Sequence, residues 1–238
     1  MTTANDPQPR ASRRPIVPDD WAYMLPMFTF LGFVWLGSTF QDWYPSTYVG
    51  RVVVVAAMLA LFWPQYTRIR WNGWWLGLIV GVVGIFQWVG MQTALQNWSV
   101  TAEWFKTDPA KAFNPFKHFG DTWQAYTFIA IRWIAGASIL VPIMEELFWR
   151  DFAWRTILAP SDFKLEKIGA PDWKAVVGVS LIFAVVHGNW WLTSIVWAFM
   201  IAGLLVYTRS IGACIIAHAT TNFLLGAYVL RTHDWTFW

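Results

Sequence analysis

Apolar windows of about the length needed to cross a bilayer recur along this chain at about 21–40, 49–63, 74–91, 123–141, 143–158, 173–190, 191–208 and 211–231. Each is bounded by polar or turn-forming residues, and no repeat relates one window to another. The pattern predicts an all-α, polytopic membrane protein with about eight transmembrane helices around an intramembrane polar cavity. The second window is short and carries Arg51 near one end, where a long basic side chain can snorkel to the interface. The fifth is also short and ends among Arg150, Asp151 and Arg155. Between 92 and 122, Glu103, Lys106, Asp108, Lys111 and Lys117 interleave with Trp104, Phe105, Phe113 and Phe116, the pattern of an element lying on a membrane surface. A second polar loop covers 159–172, with Pro160, Gly169 and Pro171. The chain thus divides into a disordered, polar and Pro-rich tail over 1–20, N-terminal membrane helices with the interfacial loop over 21–122, a membrane core over 123–231, and a short C-terminal tail over 232–238.

Composition agrees with the pattern. Hydrophobic residues make up 57% of the chain and charged residues 13%, whereas soluble domains carry about 25% charged residues. Many of the 20 tryptophans fall at window ends, among them Trp21, Trp43, Trp63, Trp71, Trp74, Trp98, Trp123, Trp173, Trp190 and Trp191, as in interfacial aromatic belts. The net charge of +3 is spread without a basic cluster, so nucleic acid is not an expected partner. A single cysteine, Cys214, rules out an intramolecular disulfide. No cleavable signal peptide is read at the N-terminus, and the chain is expected to be a multi-pass protein of the cell (inner) membrane. With eight crossings, a cytoplasmic N-terminus puts Arg10, Arg13, Arg14, Arg68, Arg70 and Arg231 inside, as the positive-inside rule asks, but leaves Lys106, Lys111, Lys117, Lys164, Lys167 and Lys174 outside.

Candidate chemistry centres on Val141-Pro142-Ile143-Met144-Glu145-Glu146-Leu147-Phe148-Trp149-Arg150. Carboxylates inside a bilayer are costly and are retained mainly where they have partners or tasks. Pro142 is expected to open a helix, where its missing N–H is harmless. Glu146 and Arg150 stand four apart with the acid first, the favourable order for a helical ion pair. Glu145 points about 100° away, on a face shared with Met144, Phe148 and Trp149, and is left free to act as a general base or acid. A buried salt bridge that only sets helix register would explain the pair without any chemistry. Arg132 also lies within a window and needs a partner, with Glu145, Glu146 or backbone carbonyls as candidates. Phe183 and His187 share one helix face, as do His218 and Asn222 one turn apart. Taken alone, either His could be a hydrogen-bonded core residue. Convergence of all three segments on one cavity is the cheapest way to satisfy so many polar groups.

Together the groups suit amide hydrolysis: a base to activate water, an imidazole to hold it or protonate the leaving amine, and donors for the developing oxyanion. Neither Ser nor Cys is placed as a nucleophile. Glu145, His187 and His218 could alternatively form a two-His, one-carboxylate site for zinc or another divalent metal. No HExxH motif is present, and water activation without a metal is the reading taken.

The segments Glu145 to Arg150, Phe183 to His187 and His218 to Asn222 stand as EExxxR, FxxxH and HxxxN, in that order. In this the chain resembles the CPBP family (CAAX protease and bacteriocin-processing), which includes the type II CAAX prenyl endopeptidases. The resemblance covers about 123–230. It implies an intramembrane endopeptidase in which Glu145 is the base, His187 helps hold the water, His218 and Asn222 stabilise the oxyanion, and Glu146 with Arg150 supports the site. The family has been described both as metal-dependent and as a glutamate-type protease. The run Glu145 to Arg155 and the end of the chain (Tyr228-Val229-Leu230, then Trp235-Thr236-Phe237-Trp238) also look like the bacterial branch encoded near exosortase systems. The implied partners are the bilayer and a membrane-embedded or lipid-associated peptide or protein substrate. Two rival readings are a non-enzymatic protein of the same fold (a bacteriocin self-immunity factor or assembly partner) and an ion or proton transporter. A scaffold has no need of an unpaired Glu145, and a transporter of the inverted-repeat kind would show related halves.

Overall fold

A computed structural model of the chain describes residues 16–238. The fold is all-α, with no strand among the described residues. Seven helices dominate: α1 (Asp19–Thr39), α2 (Tyr44–Phe62), α3 (Trp74–Asn97), α4 (Trp123–Leu158), α5 (Trp173–Val185), α6 (Trp191–Thr208) and α7 (Ile211–Thr232). Six of them are long and apolar enough to cross a membrane, and α5 is the shorter one. The molecule is therefore a polytopic membrane protein, and its lipid-facing surface carries exposed residues such as Val53, Ile79, Phe86, Ile182 and Phe199.

The count falls from about eight because the windows 123–141 and 143–158 are one continuous helix. Its backbone is π-helical over Ile131–Leu140 and again over Leu147–Ala153. Pro142 therefore does not open a helix. The wider π turn absorbs it: a proline has no N–H to give, and in an i→i−5 register the carbonyl left without a partner is that of Ala137. Asn222 Nδ2 on α7 donates to that oxygen at 2.8 Å.

One crossing fewer changes which charges share a side. The face holding the start of α1 also holds residues 63–73, because Gln65 Nε2 donates to Val17 O at 2.7 Å. The 159–172 loop joins it, as Lys164 Nζ donates to Gln65 O at 3.0 Å, and so does the α6–α7 turn, where the Ser210 hydroxyl donates to Arg70 O at 2.6 Å. Lys164, Lys167 and Lys174 thus lie on the side of Arg68 and Arg70, and Arg231 at the end of α7 lies on the opposite one. Of the tail expected over 1–20, residues 1–15 with Arg10, Arg13 and Arg14 lie outside the described residues. Its last part is ordered: Ile16 N donates to Gln65 Oε1 at 3.0 Å, and Asp19 opens α1. The same face is clasped by Asp151, which pairs with Arg155 and accepts from the Tyr23 hydroxyl at 2.8 Å.

Helix α3 lies along α7 through glycines at helical spacing, Gly77, Gly81 and Gly84, against Ala213, Ala217 and Thr221. Between apolar helices in lipid, such small residues allow the close backbone approach that holds the pair together. The Thr221 hydroxyl donates to Gly81 O at 3.0 Å, and a Cβ on Gly81 would stand 2.6 Å from Ala217 O. Gly81→Val is expected to lower stability by about 1–3 kcal/mol through overpacking, read as a lower thermal midpoint in detergent. Because α7 carries His218, activity should fall with it.

Candidate active site

The Glu pair sits midway along α4, in the short α-helical stretch Val141–Glu146 between the two π-helical ones. Such departures from α geometry are frequent at functional sites. Glu146 is 0% exposed and bridges two helices. Its Oε1 accepts from His218 Nδ1 of α7 at 2.8 Å, and its Oε2 lies 3.3 Å from Arg150 Nε one turn along α4. The pairing with Arg150 agrees with the sequence spacing; the link to His218 is an addition. Arg150, 1% exposed, spreads its guanidinium over Phe183 (5.1 Å to the ring centroid) and Trp197 (5.6 Å). A buried charge stacked on aromatic faces and paired to a carboxylate is held in place from three directions.

Glu145 differs from its neighbour. It is 8% exposed, and its Oε2 is buried without a hydrogen-bond partner. It lies close enough to His218, Glu146 and Arg150 to feel their charges. An acid in this position has acceptor capacity to spare.

His187 follows the C-terminal end of α5. Its Nδ1 is 2.6 Å from Phe183 O, and its ring lies 4.2 Å from the Phe183 ring. A carbonyl only accepts, so Nδ1 carries the proton and the neutral ring presents a lone pair at Nε2. His187 feels the charges of His218 and Arg150, which ties α5 to the α4–α7 cluster. By the same argument His218 donates from Nδ1 to Glu146 and turns Nε2 toward the remaining space.

Asn222 stands one turn beyond His218 on the same face and is half-buried. One amide hydrogen goes to Ala137 O, and an NH₂ group has a second to give. Among the described residues no three His, Cys, Asp or Glu side chains stand together in a metal-holding arrangement.

Three helices therefore bring polar groups toward one region, as the sequence suggests, and aromatic rings wall it. Trp197 of α6 packs 4.7 Å from the His218 ring and 5.6 Å from Phe183, and Trp88 of α3 stands 5.9 Å from His187. Neither tryptophan was singled out by sequence. For Trp197 the signal was its position inside a window, away from the interfacial ends where tryptophan otherwise collects; Trp88, three residues from the end of its window, carried no such signal. Arg132 lies apart from the Glu pair. Its partners are the Tyr44 hydroxyl, to which it donates, and the rings of Tyr48 and Trp238, with the guanidinium carbon 5.0 and 4.8 Å from their centroids. Neither Glu145 nor Glu146, the carboxylates considered for it, pairs with it.

Residues 127–224 match the family model described as Type II CAAX prenyl endopeptidase Rce1-like. The match runs from α4 into α7 and contains every motif residue described above. No curated protein and no solved structure matches the chain.

Proposed function

We propose, from the match of residues 127–224 to the Type II CAAX prenyl endopeptidase Rce1-like family model, that the protein is an endopeptidase that hydrolyses a peptide bond of a membrane-associated substrate with Glu145-activated water. The observation that carries the reading is Glu145, whose buried Oε2 has no hydrogen-bond partner, beside a Glu146 that is hydrogen-bonded to His218 and ion-paired with Arg150.

In the proposed reaction Glu145 takes a proton from water as the oxygen attacks the peptide carbonyl carbon. The Nε2 lone pair of His187 accepts a hydrogen bond from that water and fixes its direction. The carbonyl oxygen gains the negative charge, met by Nε2–H of His218 and the second amide hydrogen of Asn222. Collapse breaks the C–N bond, and the proton held by Glu145 passes to the leaving nitrogen. The products are a new carboxylic acid and a free amine, with Glu145 ionised again; the acid's proton then passes to the amine, giving carboxylate and ammonium. Aromatic walls of Phe183, Trp88 and Trp197 keep the site dry enough for these dipoles to act strongly. No metal enters the scheme. We further propose that the N-terminus is cytoplasmic, because the side of α1's first turn carries Arg68, Arg70, Lys164, Lys167 and Lys174 together.

The test is cleavage of candidate membrane peptides by the purified protein in detergent, comparing wild type with Glu145→Gln, each with and without a strong chelator. Cleavage by wild type alone, unaffected by chelator, is the expected result. Equal cleavage by Glu145→Gln would remove the base, and loss of wild-type activity with chelator would replace the metal-free scheme. Asn222→Ala is expected to lower the turnover number by about 10²–10³-fold with the fold intact, as for one oxyanion donor. Unchanged turnover would leave Asn222 only its contact with Ala137.

A further inference from the structure

His187 stands where α5 leaves the α register. Its backbone N–H donates to Ala184 O at 3.0 Å, three residues back, instead of reaching the Phe183 oxygen four back. The oxygen so freed takes the ring Nδ1–H at 2.6 Å, and that bond aims the imidazole. The direction of Nε2 therefore depends on the chain leaving the helix at this residue. Gly188 makes the exit possible, with a φ of +53° that costs glycine little. A glycine turn is also soft and helix ends fray, so the chain beyond it has to be held.

The hold comes from Gln92 of α3, one turn beyond Trp88. Gln92 is 0% exposed, and both ends of its amide are engaged. Its Oε1 accepts from the Thr193 hydroxyl of α6 at 2.7 Å. Its Nε2 donates to Phe105 O at 3.2 Å and to Asn189 O at 3.4 Å. Both carbonyl oxygens only accept, so the nitrogen must face them and the amide has one orientation. Asn189 is gripped a second time, its Nδ2 donating to Lys106 O at 2.8 Å. Stacking of Trp190 on Trp88, 5.9 Å between centroids, adds contact but fixes no backbone group. We propose that Gln92 is a positioning residue for His187. By fixing Asn189 O it holds Gly188–Trp190 in a 3-10 turn, keeps the His187 N–H away from Phe183 O, and leaves that oxygen to orient the ring. The benefit to the reaction, a correctly aimed Nε2 for the attacking water, rests on the protease reading above.

Two readouts on the full chain in detergent test this. Cleavage gives kcat and KM, and ¹⁵N NMR of histidine-labelled protein gives the His187 tautomer, assigned among the four histidines with His187→Gln. Gln92→Met keeps the length of the side chain and loses all three bonds. It is expected to lower kcat by about 10–100-fold with little change in KM, the cost of a small misplacement. In the same variant the single Nδ1–H tautomer should become a mixture. Gln96→Met loses a bond to the same Phe105 O but none to Asn189, and Thr193→Val loses only the hydroxyl on Oε1. Both should match wild type in kcat and tautomer. Gly188 supplies a second pair at an exposed position, readable even if Gln92→Met does not fold. A Cβ there meets nothing within 4 Å, so only the backbone angle is at stake. Gly188→Asn, which tolerates positive φ, should keep more of kcat and of the tautomer than Gly188→Val, which does not. Wild-type kcat or an unchanged tautomer in Gln92→Met would overturn the proposal. So would equal losses in Gln92→Met, Gln96→Met and Thr193→Val, or no difference between the two Gly188 variants. Failure of the protease reading appears separately, as cleavage insensitive to Glu145→Gln, and leaves the tautomer result standing.

Discussion

Replacing Glu145 with glutamine is expected to lower peptide hydrolysis by about 10²–10⁴-fold, the contribution of a positioned general base, while the thermal midpoint stays level or rises. The two halves of this result have one cause. Glu145 Oε2 is buried without a hydrogen-bond partner, so the native fold carries a polar atom that an isosteric neutral amide replaces without breaking any pair. Leaving a buried acceptor unsatisfied costs about 1–3 kcal/mol, and glutamine adds an NH₂ that can find an acceptor in the same space. The proposed role as base accounts for that expense inside a membrane core. Single-turnover cleavage and thermal melting of the same preparation read both halves together. A large drop in the midpoint would mean that Glu145 is a structural ion partner after all, and the assignment of the base would have to move.

The motif residues were legible because each is expensive where it stands. Glu146–Arg150 could be read from spacing alone, since an acid four residues before a base on a helix has one geometric consequence. The convergence of His187 and His218 on the same region follows from the cost of leaving any of them unpaired in lipid. Three features were not legible. The first is the unbroken α4: Pro142 normally ends or opens a helix, and only the π register, which leaves no periodic trace in a sequence, lets it pass through. That single misreading moved Lys164, Lys167, Lys174 and Arg231 to the wrong faces, because every later crossing inherits its direction from the one before. The second is the His218–Glu146 bond, which depends on the rotation of α7 against α4 and hence on the glycine seam of α3. The third is Arg132, whose partners Tyr44 and Trp238 lie far away in sequence and neutralise nothing, so no charge rule points to them. The C-terminal residues 232–238, read as a tail, turn back so that Phe237 packs 4.9 Å from Trp190 and Trp238 lies against the Arg132 guanidinium.

Arg150→Ala should be the most damaging single change to the fold. It strips the fully buried Glu146 of the cation 3.3 Å away and leaves a void between Phe183 and Trp197. Removing one member of a buried pair costs about 3–5 kcal/mol, because the remaining charge stays desolvated. For a chain of this size that corresponds to a fall in the thermal midpoint on the order of 10 °C, with activity lost as well. The paired replacement Arg150→Met with Glu146→Gln separates the two losses. Removing both charges abolishes the uncompensated ion, and methionine refills part of the space between the rings, so most of the stability should return. Activity should not return with it, because His218 would face a neutral amide at Nδ1 in place of the carboxylate that holds its ring. Melting curves and cleavage rates for wild type, Arg150→Met, Glu146→Gln and the double variant give the coupling directly. A stable, fully active Arg150→Ala protein would show that Glu146 is held by His218 alone. A double variant that recovered both stability and activity would remove Glu146 from the support of the oxyanion, and with it the role given to the Glu146–His218 bond.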